Sequence, residues 1–149
     1  MKTLIVYYSR SGHTKKVAKN ISEKLTAEIE EIVDLKNRTR KIIGWIIAGK
    51  DASTKKLTKI EYKKDPSKYD LVIIGTPVWA WTMTPAIRTY LTDNNFNNVA
   101  FFCTNDGQKG KTFEDMEKLS KKPIATLELK NKSKDLYQNK INKFCEKVK

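Results

Sequence analysis

Leu4-Ile5-Val6-Tyr7-Tyr8-Ser9-Arg10-Ser11-Gly12-His13-Thr14 decides the fold. Five consecutive apolar, β-forming residues read as a strand buried on both faces. Six polar or glycine residues follow, and then Val17, Ala18, Ile21 and Leu25 recur at helical spacing with lysines on the other side. Working outward, a shorter strand is expected near Glu30–Val33, and Leu71–Gly75 and Val99–Cys103 are two more continuous apolar runs. Thr84-Pro85 supplies a cap and a first-turn proline for a helix presenting Ile87, Tyr90 and Leu91. A helix over Thr112–Leu119 turns Phe113 and Met116 inward, Ile124–Leu129 is the fifth strand, and a last helix from about Ser133 carries Tyr137, Ile141, Phe144, Cys145 and Val148 on one stripe. Strands alternating with helices, most of them bare of polar side chains, mean an α/β protein with a five-stranded parallel sheet, doubly wound. In such sheets ligands sit beyond the carboxyl ends of the strands, where strand order reverses. That singles out the loops after Tyr8, Gly75 and Cys103.

At 149 residues, one domain spanning 1–149 is expected, with enough chain to enclose a core. The apolar run Ile42–Gly49 is eight residues, far below the roughly 20 that a spanning helix needs. Met1–Ile5 runs into strand-like sequence without an apolar leader region, so a cytoplasmic location is expected. Cys103 and Cys145 with a single histidine make neither a zinc site nor a disulfide framework. The net charge of +13 raises nucleic acid as a partner, but only Arg10, Arg38, Arg40 and Arg88 are arginines among the 30 basic residues. Base and phosphate readers favour the planar guanidinium fork, whereas lysines spread along the chain describe a solvated surface. Nucleic acid is therefore the weaker reading.

Ser9-Arg10-Ser11-Gly12-His13-Thr14 sits between a buried strand and a helix start. Hydroxyls, a glycine and a helix N-terminus form an anion socket, because unpaired amides and the helix dipole favour negative charge there. An ordinary capped turn is the plain alternative. The second loop, Thr76-Pro77-Val78-Trp79-Ala80-Trp81, places two tryptophans two residues apart; they either cover the core or stack on a flat conjugated ligand. The third, Thr104-Asn105-Asp106-Gly107, is a polar turn whose backbone groups suit the edge of such a ring.

Leu4–Thr14 resembles the flavodoxin signature, an apolar strand followed by Ser/Thr-x-Ser/Thr-Gly-x-Thr, met here by Ser9, Ser11, Gly12 and Thr14. Gly75-Thr76-Pro77-Val78-Trp79 is similar to the second flavin loop of flavodoxin-like proteins, and the likeness runs through all five strands in the order 2-1-3-4-5. The resemblance implies non-covalent FMN, its phosphate on Ser9–Thr14 and its isoalloxazine between Thr76–Trp81 and Thr104–Gly107. With no long insertion in the fifth strand, the chain resembles the short-chain type. It also departs from the family pattern. Flavodoxins that carry electrons are usually acidic, whereas this chain is strongly basic and has no Asp or Glu from Thr76 to Pro85. Nearby positive charge stabilises an anionic reduced flavin. The glycine carbonyl on which the one-electron reduced form relies is absent from Thr76–Pro85. Two readings stand: an FMN-dependent NAD(P)H:acceptor oxidoreductase acting on a small molecule such as a quinone, and an electron carrier to a redox partner protein. A third is a flavodoxin-fold interaction module without redox activity.

Competing motifs carry less. Gly107-Gln108-Lys109-Gly110-Lys111-Thr112 imitates a P-loop, but Asn105 stands where its first glycine belongs, and the reading is a turn with Thr112 capping the next helix. No Gly-x-Ser-x-Gly elbow supports a Ser–His hydrolase using His13. Cys103 and Cys145 read as packing, and no acid–base residue stands out, so no catalytic side chain is assigned. The basic and apolar segment Arg38–Lys50 around Trp45 reads as a crossover helix, with peripheral contact to an anionic membrane as the alternative.

Overall fold

The computed structural model describes residues 1–36 and 56–149. The expected crossover helix and membrane-contact segment around Trp45 lie outside the described residues. The chain forms β1 (Thr3–Tyr7), α1 (His13–Leu25), β2 (Glu28–Glu31), β3 (Val33–Asp34), β4 (Ile60–Glu61), β5 (Leu71–Pro77), α2 (Pro85–Asp93), β6 (Val99–Asn105), α3 (Thr112–Leu119), β7 (Thr126–Lys130) and α4 (Tyr137–Val148). Five strands pair in parallel in the order β2-β1-β5-β6-β7. That is the expected order, 2-1-3-4-5 counted along the sheet strands.

Side chains alternate across each strand, and the apolar runs therefore feed two cores. Leu4, Val6, Val72, Ile74, Val99 and Phe101 face α2 and α3. Ile5, Tyr7, Leu71, Ile73, Ala100 and Phe102 face α1 and α4. Ile141, Phe144, Cys145 and Val148 of α4 are buried as the stripe requires, with Tyr137 at its half-buried end. Gly75 pairs with Phe102 across β5 and β6, and a Cβ at Gly75 would overlap the Phe102 ring. The glycine thus makes room for the aromatic ring of its neighbour strand.

Three local features differ from the sequence reading. The strand expected near Glu30–Val33 is two elements: β2 in the main sheet, and β3, which turns away to pair antiparallel with β4. A short 3₁₀ turn over Lys134–Leu136 precedes α4, so the last helix starts later than Ser133. Thr112 is the first residue of α3 rather than its cap, and its hydroxyl donates to the Lys109 carbonyl at 2.6 Å. Thr84 behaves as expected: its hydroxyl accepts the Ile87 amide at 3.4 Å, with Pro85 opening α2.

Candidate functional site

The parallel strands end in loops that enclose a cleft of about 170 Å³, lined among others by Arg10, Ser11, His13, Thr14, Pro77, Val78, Trp79, Thr104, Asn105 and Asp106. All three loops singled out in the sequence therefore meet at one place. Ser9, Gly12, Thr76, Ala80, Trp81 and Gly107, also expected at the site, do not line it.

In the first loop, Gly12 takes φ +99°, a left-handed conformation that favours glycine, and stands as the N-cap of α1 without a side-chain cap. Ser9 Oγ accepts the Gly12 amide at 3.1 Å and the Lys15 amide at 3.3 Å. Thr14 is buried, its hydroxyl 2.9 Å from that of Thr104, which ties loop one to loop three. Two of the hydroxyls expected to face a ligand thus hold the loop itself. Ser11 stays exposed, its Oγ 3.3 Å from Nδ1 of His13. The amides of Ser11, His13 and Thr14 donate to no group among the described residues. All three residues line the cleft. Three amides without partners among the described residues, around a helix N-terminus, are an arrangement that favours an anion by dipole and by hydrogen-bond demand.

The second loop is a two-residue hairpin. Trp79 and Thr82 exchange backbone hydrogen bonds of 2.9 and 3.1 Å, and Ala80 and Trp81 between them sit at φ 49° and 64°. Two positive φ values mark a type I′-like turn, a geometry for which Asn-Gly is the usual sequence. Trp79 is 5% exposed and packs edge-on against Tyr8 at 5.5 Å, with the Arg10 guanidinium 6.0 Å from its ring. Trp81 is 64% exposed and does not line the cleft. The two tryptophans have opposite roles, one a wall and one a surface.

Thr82 is held from below by a buried relay. Its hydroxyl donates to Asp115 at 2.7 Å and accepts from Nη2 of Arg88 at 3.3 Å. Burial pushes the Arg88 guanidinium below its ordinary pKa, and Asp115 opposes that shift. In the third loop, Asn105 accepts the Gly107 amide at 3.1 Å and donates to Glu128 at 2.9 Å. Cys103 lies beneath with its thiol pushed up to about 12, by burial first and by Glu128 second, and stays protonated.

Sequence reasoning missed Asn131. It lines the cleft, donates to Asp106 at 2.8 Å and accepts the Tyr137 hydroxyl at 3.1 Å. The only available signal was its place after the fifth strand. Among the described residues no group of His, Cys, Asp or Glu can hold a metal, and no helix is long and apolar enough to cross a membrane.

A family model described as flavodoxin matches residues 2–148. The chain belongs to the flavodoxin family. Its fold is similar to that of a flavoprotein from Lactobacillus acidophilus NCFM in complex with FMN, with 27% identity, a TM-score of 0.72, and coverage of 92% of this chain and 98% of that one. The NMR structure of the apo-form of the flavoprotein from that organism shares 28% identity at a TM-score of 0.65, covering 91% and 96%. Oxidised flavodoxin 2 from Bacillus cereus, at 15% identity and a TM-score of 0.61 over 99% and 97%, shares the fold. No curated protein matches this family member in sequence.

Proposed function

We propose that this member of the flavodoxin family binds FMN non-covalently in the cleft and passes its electrons to a small acceptor such as a quinone. The observation that carries the reading is the set of unpaired amides of Ser11, His13 and Thr14 on one side of a cleft walled by Trp79. These residues fit the group. A phosphate supplies acceptors to amides that otherwise lack partners, and charge-assisted bonds of this kind are about twice as strong as neutral ones. The resemblance to the Lactobacillus flavoprotein solved with FMN supports the same assignment.

When bound, FMN supplies the two-electron chemistry; the chain supplies placement. Ser9 fixes the loop, Gly12 lets the amides converge, and the Thr14–Thr104 bond holds the first and third loops at a constant separation. At about 170 Å³ the cleft is smaller than the ~300 Å³ at the low end for small-molecule pockets, so it would not enclose a flavin completely. An exposed ring edge suits a diffusing acceptor. Arg10 on the lining, with no carboxylate in the second loop, favours negative charge on a reduced flavin.

Flavin fluorescence titrations of the apo-protein with FMN and riboflavin test the socket. FMN is expected to bind at least ~100-fold more tightly, about 2.7 kcal/mol. Equal affinities overturn the phosphate assignment. The loaded protein is then expected to oxidise NAD(P)H with a quinone present; turnover only with a protein acceptor makes it a carrier.

A further inference from the structure

Beside the flavin cleft lies a second cavity of about 190 Å³ between α1 and α4, lined by His13, Lys16, Val17, Asn20, Tyr137 and Ile141. His13 is a wall of both cavities. Tyr137 joins them again through its hydroxyl, which donates to Asn131 of the first cleft at 3.1 Å. We propose that this second cavity is a subsite for an adenine nucleotide, adjoining the anion socket at the head of α1.

Size is the first argument. Each cavity alone falls below the ~300 Å³ of an ordinary ligand pocket, and the second, at about 190 Å³, has room for a single base whose ribose and phosphates run along the open rim past His13, the wall it shares with the first. Chemistry is the second. Val17 and Ile141 are buried and give an apolar floor, and Tyr137 presents a half-buried aromatic ring, a surface on which a planar base packs. Asn20 spends its amide nitrogen on Gln138 at 3.1 Å, while its Oδ1 accepts from no group among the described residues. That oxygen suits an exocyclic amine such as the one adenine carries. Charge is the third. Lys16 is exposed on the rim, pairs with no carboxylate among the described residues, and stands one turn from the unpaired amides. A phosphate leaving the socket toward the second cavity meets His13 and then Lys16.

The inference rests on reading the head of α1 as a phosphate socket, and it admits two sources of the adenylate. FAD would span both cavities as one molecule; alternatively, a nicotinamide dinucleotide would place its adenylate here beside bound FMN.

The test uses ADP as probe, added to apo and FMN-loaded protein, with binding followed by calorimetry and by amide shifts. ADP is expected to shift the amides of Tyr137 and Ile141, and Tyr137→Ala and Asn20→Ala are each expected to weaken it at least tenfold while FMN affinity stays within twofold. FAD that displaces FMN and ADP together identifies the single spanning ligand. NADPH that displaces ADP and leaves FMN bound identifies the donor. ADP that leaves Tyr137 and Ile141 unshifted, or binds both variants as it binds the parent, overturns the proposal. FMN failing to bind while ADP shifts Tyr137 overturns the flavin reading and leaves the subsite standing.

Discussion

Asp115→Ala removes the acceptor at the base of the Trp79–Thr82 hairpin, and its cost follows from the burial of three polar residues. Thr82, Arg88 and Asp115 are 5%, 7% and 6% exposed. Thr82 donates to the carboxylate at 2.7 Å and accepts from the guanidinium at 3.3 Å. Without the carboxylate, the Thr82 hydroxyl loses its acceptor and the guanidinium keeps its charge in a buried place with no opposite charge near it. Its Nε already lacks a hydrogen-bond partner, so the structure holds little reserve for it. Arg88 and Asp115 meet through the Thr82 hydroxyl and not in a direct ion pair, so the about 3–5 kcal/mol of breaking a contacting buried pair is an upper bound, while an orphaned hydroxyl alone costs about 1–3. We expect about 2 kcal/mol, a large share of the ~5–15 kcal/mol that holds a domain together. Urea unfolding at neutral pH reads this as a lower midpoint with an unchanged slope. Replacing both charges, Arg88→Met with Asp115→Leu, is expected to recover the part of the loss that comes from the uncompensated guanidinium, since well-packed apolar residues substitute for buried charged groups at little cost, while the Thr82 hydroxyl still lacks its acceptor. A single variant losing under 1 kcal/mol, or a double variant no more stable than the single one, refutes the reasoning.

Gly75→Ala is expected to destabilise by about 1–3 kcal/mol because its Cβ overlaps the Phe102 ring, and Phe102→Leu in the same chain should relieve part of that; additive losses in urea would show the two positions to be independent. Stability is expected to fall between pH 9 and 12: Cys103, ordinarily near 9.0, and Tyr7 and Tyr69, ordinarily near 10.0, are all pushed up to about 12 by burial and nearby carboxylates, so the unfolded chain releases these protons first. Their neutral forms contribute fully below pH 9, and the contribution is lost as pH rises through the folded values. A urea midpoint that holds or rises from pH 8 to 10.5, or a Cys103→Ala variant with undiminished pH dependence, counts against this.

What could be read from the sequence was what local pattern encodes. Leu4–Tyr8, Leu71–Ile74 and Val99–Cys103 are runs whose length and composition fit only buried strands, and alternation with amphipathic helices then fixed a parallel, doubly wound sheet. The Ser9–Thr14 motif was legible because glycine and small hydroxyls cluster at one strand end. Pairing across the chain was not. Nothing near Thr14 announces that its hydroxyl turns inward to Thr104, 90 positions away, rather than outward to a ligand. Asp115 looks like any first-turn acid of a helix, and only packing of α3 against α2 places it beneath Thr82. The β3–β4 pair is two residues long on each side, too short to leave a period.

The hairpin at Ala80–Trp81 shows why the least rule-abiding segment stands at the mouth of the cleft. Neither residue suits a left-handed backbone, and each such position costs of order 1–3 kcal/mol. The strain persists because the turn is held from several sides: the Trp79–Thr82 backbone pair closes it, the Lys111 amide donates to the Trp81 carbonyl at 2.9 Å, and Asp115 anchors Thr82. Gly110 admits that approach, since a Cβ there would come within 2.5 Å of Trp81. An Asn-Gly pair would take the same turn with less strain and would present no indole. The supports do not relax Ala80 and Trp81; they hold the turn in a shape that leaves Trp79 in the cleft wall and Trp81 exposed. The constraint buries Trp79, which packs in one core with Tyr8 and Met83 and also lines the cleft, so a single strained turn serves core packing and the cleft wall together.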